Sequence, residues 1–456
     1  MGFPLQFCGV LLALLLCCTS TPARGEAEAR EEVVFWHFWG GRDRPVVEGV
    51  IRRFNESQNR YRVRGVAMPG ANLDLKLFLS IAGGNPPDVM NHDDPVVADW
   101  AARGALTPLD QLGSAEEIER LEKWLYPSAA RLGSYRGRLF ALVNGLDIRA
   151  LYFNRTALRE VELDGLADEG PQTLSDLDLI SEAIAPAEAT VRHELNRVGF
   201  LPDPRRFWAW AIVFGGRFSD PHASDAEGRI TLDCEENLAA LRWMAGFSER
   251  YGADRVASFR SGDQALTGAS FPLLADRRYT VLMDGQWRVR DLAEAAAASA
   301  RRGEPFDEYG VCPLPPPLGG RERAGWVNGN FFIVPRGAKQ PQGAWEFMKF
   351  WAGFDGAERQ AAITAAEGGW IPPSEAVVRQ PEFQRFLERM PLFREFVELA
   401  ASEHQTPTPA LPVASFYYRE VVAAASDVMY RGADPEARLA VAARRVRRQL
   451  EEHARP

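Results

Sequence analysis

Between residues 33 and 102 short apolar runs alternate three times with helical patterns, and this alternation most narrows the possible folds. The first run, 33–39, is apolar and aromatic and stops at Gly40-Gly41, so it reads as a strand. Val46, Val47, Val50, Ile51 and Phe54 then recur at helical spacing, with Arg52, Arg53 and Glu56 on the opposite face. A second strand spans 61–68, and Leu73, Leu77, Phe78 and Ile81 mark a second helix that ends at Gly83-Gly84. A third strand over 87–90 and a third helix over 96–102 complete the series. Strand–helix repeats of this kind build right-handed parallel crossovers, so the fold class is α/β. In such sheets ligands sit beyond the carboxyl ends of the strands. Those ends carry His37-Phe38-Trp39-Gly40-Gly41 and Asn91-His92-Asp93-Asp94. Asp94 alone, before Pro95, suits a helix N-cap; the two loops together suit a binding site.

The segment 138–154 is a long β-like run with Asn144-Gly145 at its middle, as expected of a strand broken by a polar turn. The stretch 156–268 is mainly helical, with Leu238, Leu241, Met244, Phe247 and Tyr251 on one face. Further strands are expected at 279–283 and 331–335, an extended segment at 309–317, and helices at 343–354 and 435–453.

At 456 residues with 46% hydrophobic content, the chain can bury a sizeable core and form two or three domain-sized units. Its net charge of -9 opposes a nucleic-acid partner, because phosphate binding needs a basic footprint. Residues 10–18 are an apolar stretch of signal-peptide length, too short to span a bilayer. Ala23 and Gly25 permit cleavage, so residues 1–25 are expected to be a removed leader, with the mature chain starting near Glu26. Leu16 precedes Cys17 and Cys17 precedes Cys18, where a lipoprotein would place a small residue, so a lipid anchor is less favoured than cleavage. Cys234 and Cys312 remain after the leader and could pair in an oxidising compartment or stay free. Without a C-x-x-C or His/Cys cluster, neither a zinc site nor any other cofactor is expected.

The order of several short motifs resembles the family 1 extracellular solute-binding proteins of bacterial ABC importers, the group that includes maltose-binding protein. They are VVFWHFWGG, LSIAGGNPPDVMNHDD, VADWAARGALTPLD, GRLFALVNGLDIRALYFN, VLMDGQW, YGVCPLPPP, GWVNGNFFIVPRGA and AWEFMKFW. The resemblance implies a two-lobed periplasmic-binding-protein fold of type II character, each lobe a mostly parallel sheet flanked by helices, joined by a hinge. It puts one lobe at 31–143 plus about 319–358, and the other at 144–318 plus about 359–456. It further implies an exported monomer, in the periplasm or at the outer face of the cytoplasmic membrane, that binds a carbohydrate. That ligand would be handed to the transmembrane subunits of an ABC permease with its ATPase.

A sugar offers apolar C–H faces and a belt of hydroxyls, which suit flat aromatic platforms and fixed hydrogen-bonding groups. Phe38, Trp39, Trp208, Trp210, Trp287, Trp326 and Trp370 lie near glycine-containing or polar segments and are candidate platforms. Trp243, Trp345 and Trp351 lie on helical stretches and are expected in the core. Asp93, Asp94, Asp147, Arg149, Asp284, Asn328 and Asn330 are the polar candidates, with Arg149 equally suited to an ion pair with a neighbouring carboxylate. A glycoside hydrolase would need paired carboxylates, but adjacent Asp93 and Asp94 would point to opposite faces of a strand. The chain also lacks G-x-S-x-G, H-E-x-x-H and P-loop patterns, so binding is favoured over catalysis. A glycerol-phosphate or peptide ligand is the other binding alternative, kept open by Arg149.

Overall fold

The computed structural model describes residues 30–68, 72–93, 95–184, 195–265, 271–274 and 277–454. The expected leader and the candidate Asp94 lie outside the described residues. Among the described residues eight strands are four residues or longer: β1 (Glu31–His37), β2 (Tyr61–Ala67), β3 (Val89–His92), β4 (Ala141–Asp147), β5 (Arg149–Asn154), β6 (Val281–Gly285), β7 (Tyr309–Cys312) and β8 (Asn328–Ile333). The first sheet has the order β2-β1-β3-β8-β4. β1 runs parallel to β2 and β3, while β8 runs antiparallel to both β3 and β4. The carboxyl ends of β1, β3 and β4 therefore share one edge of the sheet.

The second sheet, β6-β5-β7, is antiparallel, with one isolated parallel bridge between Val198 and Tyr279. A mostly parallel sheet was expected in this unit. The difference follows from the crossing: β5 starts at the junction and must run away from it. β6 and β7 run back, so Gly285 pairs with Arg149, and Cys312 with Leu151. Their carboxyl ends point toward the first sheet.

The crossing itself departs from the sequence reading. Asn144-Gly145 is no turn; both lie inside β4, and the chain changes sheet at Ile148. Asn330 faces Gly145 and Phe331 faces Val143, so Asn144 is the extra residue of a bulge. Gly329 is required here, because a β-carbon would overlap the Gly145 carbonyl of the neighbouring strand.

The two faces of the first sheet are covered differently. Phe332 meets Phe347 and Trp351 of the helix Pro341–Ala352, with the Trp351 ring at 5.2 Å. Phe331 stacks on His92, which in turn meets Trp100 of the helix Val97–Ala102 at 5.1 Å. The helix Glu358–Gly368 packs on the first unit, where Arg53 donates to Thr364 Oγ1 at 2.9 Å and pairs with Glu367 at 3.0 Å. The sequence division assigned everything after about 358 to the second unit. Pro381–Arg389 packs on Glu358–Gly368, and Phe396 lies against Tyr152 of β5. Cys234 and Cys312 are both free thiols.

His37 closes β1 and is 5% exposed. Burial holds its imidazole down to about 4, against an ordinary 6.5. The unfolded chain then binds more protons than the folded one between those values, so stability rises with pH across this window. The melting temperature is expected to fall as the pH drops from 6.5 toward 4. His37→Gln should flatten that slope, measured by circular dichroism against pH.

Candidate functional site

Three strand ends deliver side chains to the junction of the two sheets. Beyond β1, Trp39 is buried against both Trp351 and Trp370, with ring centroids at 5.2 and 5.3 Å, and those two rings lie 6.1 Å from each other. Half-buried Phe38 lies against the Trp39 ring at 5.3 Å. Trp370 is the half-buried outer member of this indole stack.

Beyond β3, His92 Nδ1 accepts the Asp93 N–H at 3.0 Å, so the proton sits on Nε2, which donates to Asp74 Oδ1 at 3.2 Å. Half-buried Asp93 is fixed through its carbonyl, which accepts from the Asn328 amide. Asn330 is half-buried on β8 opposite Gly145.

At the end of β4, Gln286 clamps the crossing. Its Oε1 accepts from the Ile148 N–H at 3.1 Å, and its Nε2 donates to Leu146 O and Asp147 Oδ1, each at 3.1 Å. Sequence reasoning passed over Gln286, although it lies inside the quoted VLMDGQW motif. Asp284 accepts from Arg288 Nε at 3.0 Å, and Arg206 lies 3.9 Å away. Trp287 follows as a half-buried indole folded over Gly285, where any side chain would overlap the ring.

Arg149 starts β5 and is 8% exposed. Its guanidinium lies 5.0 Å from the Trp287 ring and 5.1 Å from the Trp326 ring. Nη1 donates to Asp147 O at 2.8 Å, whereas buried Nε has no hydrogen-bond partner. The ion pair, one of the two roles open to this residue, does not form: among the described residues no carboxylate pairs with Arg149. Burial, then the charge of Arg206, hold its pKa down to about 10. Trp326 continues the stack onto Tyr418 at 5.6 Å, and Tyr418 onto Trp208 at 6.2 Å.

Trp208 and Trp210 are corrections. Both are 0% exposed on the helix Phe207–Val213, whose seven residues are all buried. Trp208 packs on Phe218 at 3.8 Å and Trp210 on Trp243 at 4.6 Å. The following Gly215-Gly216 suggested a binding loop, but the helix before it is core.

The units also meet at two outer edges. On one, Arg42 pairs with Asp291 at 2.9 Å and Glu294 at 3.5 Å. There Arg290 donates to Gly368 O at 2.7 Å and lies 3.7 Å from Asp43. On the other, Ser415 Oγ donates to Pro95 O at 3.5 Å. Exposed pairs contribute about 0–1 kcal/mol each and are screened by salt. Arg42→Ala combined with Arg290→Ala is therefore expected to enlarge the radius of gyration in low-salt scattering. About 1 M NaCl should do the same to the unaltered chain, and no change in either case would show that these contacts do not hold the units together.

Two α/β units joined by a β-crossing, with indoles and polar groups converging where they meet, define a two-lobed binding protein. The chain belongs to the bacterial extracellular solute-binding protein family, whose profile matches residues 49–390. It is 28% identical over 264 residues to the sn-glycerol-3-phosphate-binding periplasmic protein UgpB of Yersinia pestis, covering 56% of this chain. The chain spans 59% of the length of these first curated relatives. It is 20% identical over 370 residues to the maltodextrin-binding protein MdxE of Bacillus subtilis, covering 80% of this chain and 78% of that protein. Among solved structures, CpMnBP1 with mannotriose bound superposes with TM-score 0.73 at 22% identity, over 91% of this chain and 100% of that one. The sugar-binding protein MalE from Xanthomonas citri gives 0.72 at 17% identity, over 92% and 98%. Among the described residues no helix is long and apolar enough to cross a membrane, and no cluster of three or more His, Cys, Asp or Glu residues could hold a metal ion.

Proposed function

We propose that the chain is the exported binding component of an ABC importer, taking up a carbohydrate between its two lobes without turning it over. The observation behind this reading is the pair of half-buried indoles from different units, Trp287 and Trp370, together with the half-buried strand-end groups Asp93, Asp147 and Asn330. Aromatic faces with fixed acceptors match the two surfaces of a sugar ring. The mannotriose held by CpMnBP1 and the sugar binding of Xanthomonas citri MalE support the same class. The first lobe comprises 31–147 and 328–390, the second 149–318 and 393–454, with the hinge at Ile148 and Val327. A ligand that touches both lobes favours the closed arrangement through contacts the open one lacks. The closed form then docks on the permease transmembrane subunits. The chain acts as a monomer, with its leader removed and no cofactor.

A second reading rests on Arg149. A buried guanidinium without an anionic partner suits a ligand with an acidic group, and the glycerol-phosphate-binding relatives agree with that class. A thermal-shift screen with neutral mono- and oligosaccharides, uronates and glycerol phosphates decides between the two. A ligand at one hundred times its Kd should add about 2.7 kcal/mol of stability. Stabilisation only by the anionic compounds selects the second reading, turnover of any glycoside defeats the binding-only role, and no stabilisation by any compound defeats both.

A further inference from the structure

A cavity of about 430 Å³ opens where both units meet the segment 405–410, away from the Trp39–Trp370 stack. Ser134, Arg131 and Arg136 line it from the first unit, Arg217, Thr406 and Thr408 from the second, and Arg321 from the stretch after 318 that bonds to Gly215 of the second unit. A smaller recess of about 30 Å³ adjoins it and is lined by Phe331. Phe331 lies on the sheet face opposite Phe332, whose side holds Trp351 and with it Trp39 and Trp370. The cavity therefore belongs to the other face of the first sheet.

Four arginines line the cavity and no aspartate or glutamate does, in a chain whose net charge is -9. Two are held by backbone carbonyls: Arg131 donates to Gln405 O at 2.8 Å and Arg321 to Gly215 O at 3.0 Å. Arg136 lies over the Tyr135 ring at 5.3 Å, and neither it nor Arg217 forms an ion pair among the described residues. The carboxylate whose charge Arg217 and Arg321 both feel is Glu236, which lies outside the wall. Like charges gathered around one space repel one another, and an anion entering that space relieves the repulsion. Guanidinium groups match oxyanions through paired N–H donors, and the Thr408 hydroxyl, which accepts from Trp326 Nε1, keeps its own proton as a further donor, whereas those of Ser134 and Thr406 are given to Ala130 O and His404 O.

We propose that this cavity is a second binding site, for a small multivalent oxyanion of the phosphate class, separate from the carbohydrate cleft. Its walls come from both units, so the anion is linked to the arrangement in which they touch, and the linkage is reciprocal. One hydrogen bond ties it to the cleft floor: Trp326 Nε1 donates to Thr408 Oγ1 at 3.1 Å, and Trp326 stacks on Arg149.

The test is calorimetric titration of the full mature chain with inorganic pyrophosphate at low ionic strength, with a thermal melt beside it. One-to-one binding is expected, with a rise in melting temperature that an equal ionic strength of NaCl does not reproduce. Arg136→Gln combined with Arg217→Gln removes two guanidiniums that hold no backbone group, and should weaken binding at least tenfold with the ligand-free melt unchanged. Arg149→Met should leave pyrophosphate binding intact. Four results overturn the proposal: no heat beyond dilution, binding that survives the double change, binding lost in Arg149→Met, or binding to phosphatidylglycerol vesicles without binding to free pyrophosphate. If the double change disturbs folding, Arg136→Lys with Arg217→Lys keeps the charge, and binding should then fall only in part.

Discussion

Replacing Arg149 with methionine is expected to stabilise the fold while removing affinity for the cleft ligand. The guanidinium is buried, stacked between two indoles, and among the described residues hydrogen-bonded only to the Asp147 carbonyl of its own strand junction. Burial and Arg206 disfavour its charged form, so the penalty acts at every pH below about 10. Removing buried charge in favour of an apolar side chain can stabilise by about 1–4 kcal/mol. Against that stands the lost cation–π attraction, about 2 kcal/mol when desolvated. Methionine recovers part of it, since its thioether fills the same slot and contributes about 0.3–1.5 kcal/mol against aromatic rings. The balance favours a net gain of about 1–2 kcal/mol. A ligand group that bonds the free edge of the guanidinium would lose a charge-assisted hydrogen bond, about 1.5–3 kcal/mol, or roughly ten- to hundredfold in Kd. Urea unfolding and calorimetry with the ligand from the screen measure both quantities. A lower midpoint with unchanged affinity would make Arg149 a structural clamp for Trp287 and Trp326.

The first sheet was legible because its signals are local. Val46, Val47, Val50 and Phe54 mark their helix by spacing alone, and all four are buried where that spacing puts them. The same period-based reasoning failed at Asn144-Gly145, because a bulge uses the composition of a turn while the strand continues. Only the pairing of Asn330 with Gly145 and of Phe331 with Val143 tells the two apart. Trp208 and Trp210 failed for a related reason. The glycines after Phe214 suggested a loop, yet the tryptophans precede that turn, on a helix buried on every side. Gln286 was missed because a glutamine carries no sequence signal for clamping a backbone crossing 138 residues away. The bond from Arg53 to Thr364, across 311 positions, was equally hidden.

Alanine substitution at three tryptophans should separate platform from core. Trp208 is fully buried against Phe218 and Tyr417, so Trp208→Ala removes packed area and leaves a cavity. That change should cost about 3–5 kcal/mol of stability. Trp287 and Trp370 are half-buried and would complete their contacts only with a ligand. Trp287→Ala leaves Gly285 uncovered and Arg149 with one indole, so a loss of about 1 kcal/mol is expected at most from the missing cation–π contact. Trp370→Ala removes the outer ring of the stack on Trp39 and should cost about 0.5–1.5 kcal/mol beyond its partial burial. In both, affinity should fall by about 2 kcal/mol or more, roughly thirtyfold, as for a well-packed aromatic anchor. Paired melts and calorimetry on the three variants give the comparison. The platform assignment fails if Trp287→Ala or Trp370→Ala melts as low as Trp208→Ala while binding is retained. In that outcome the indoles at the junction hold the lobes together, and recognition rests on Asp93, Asp147 and Asn330.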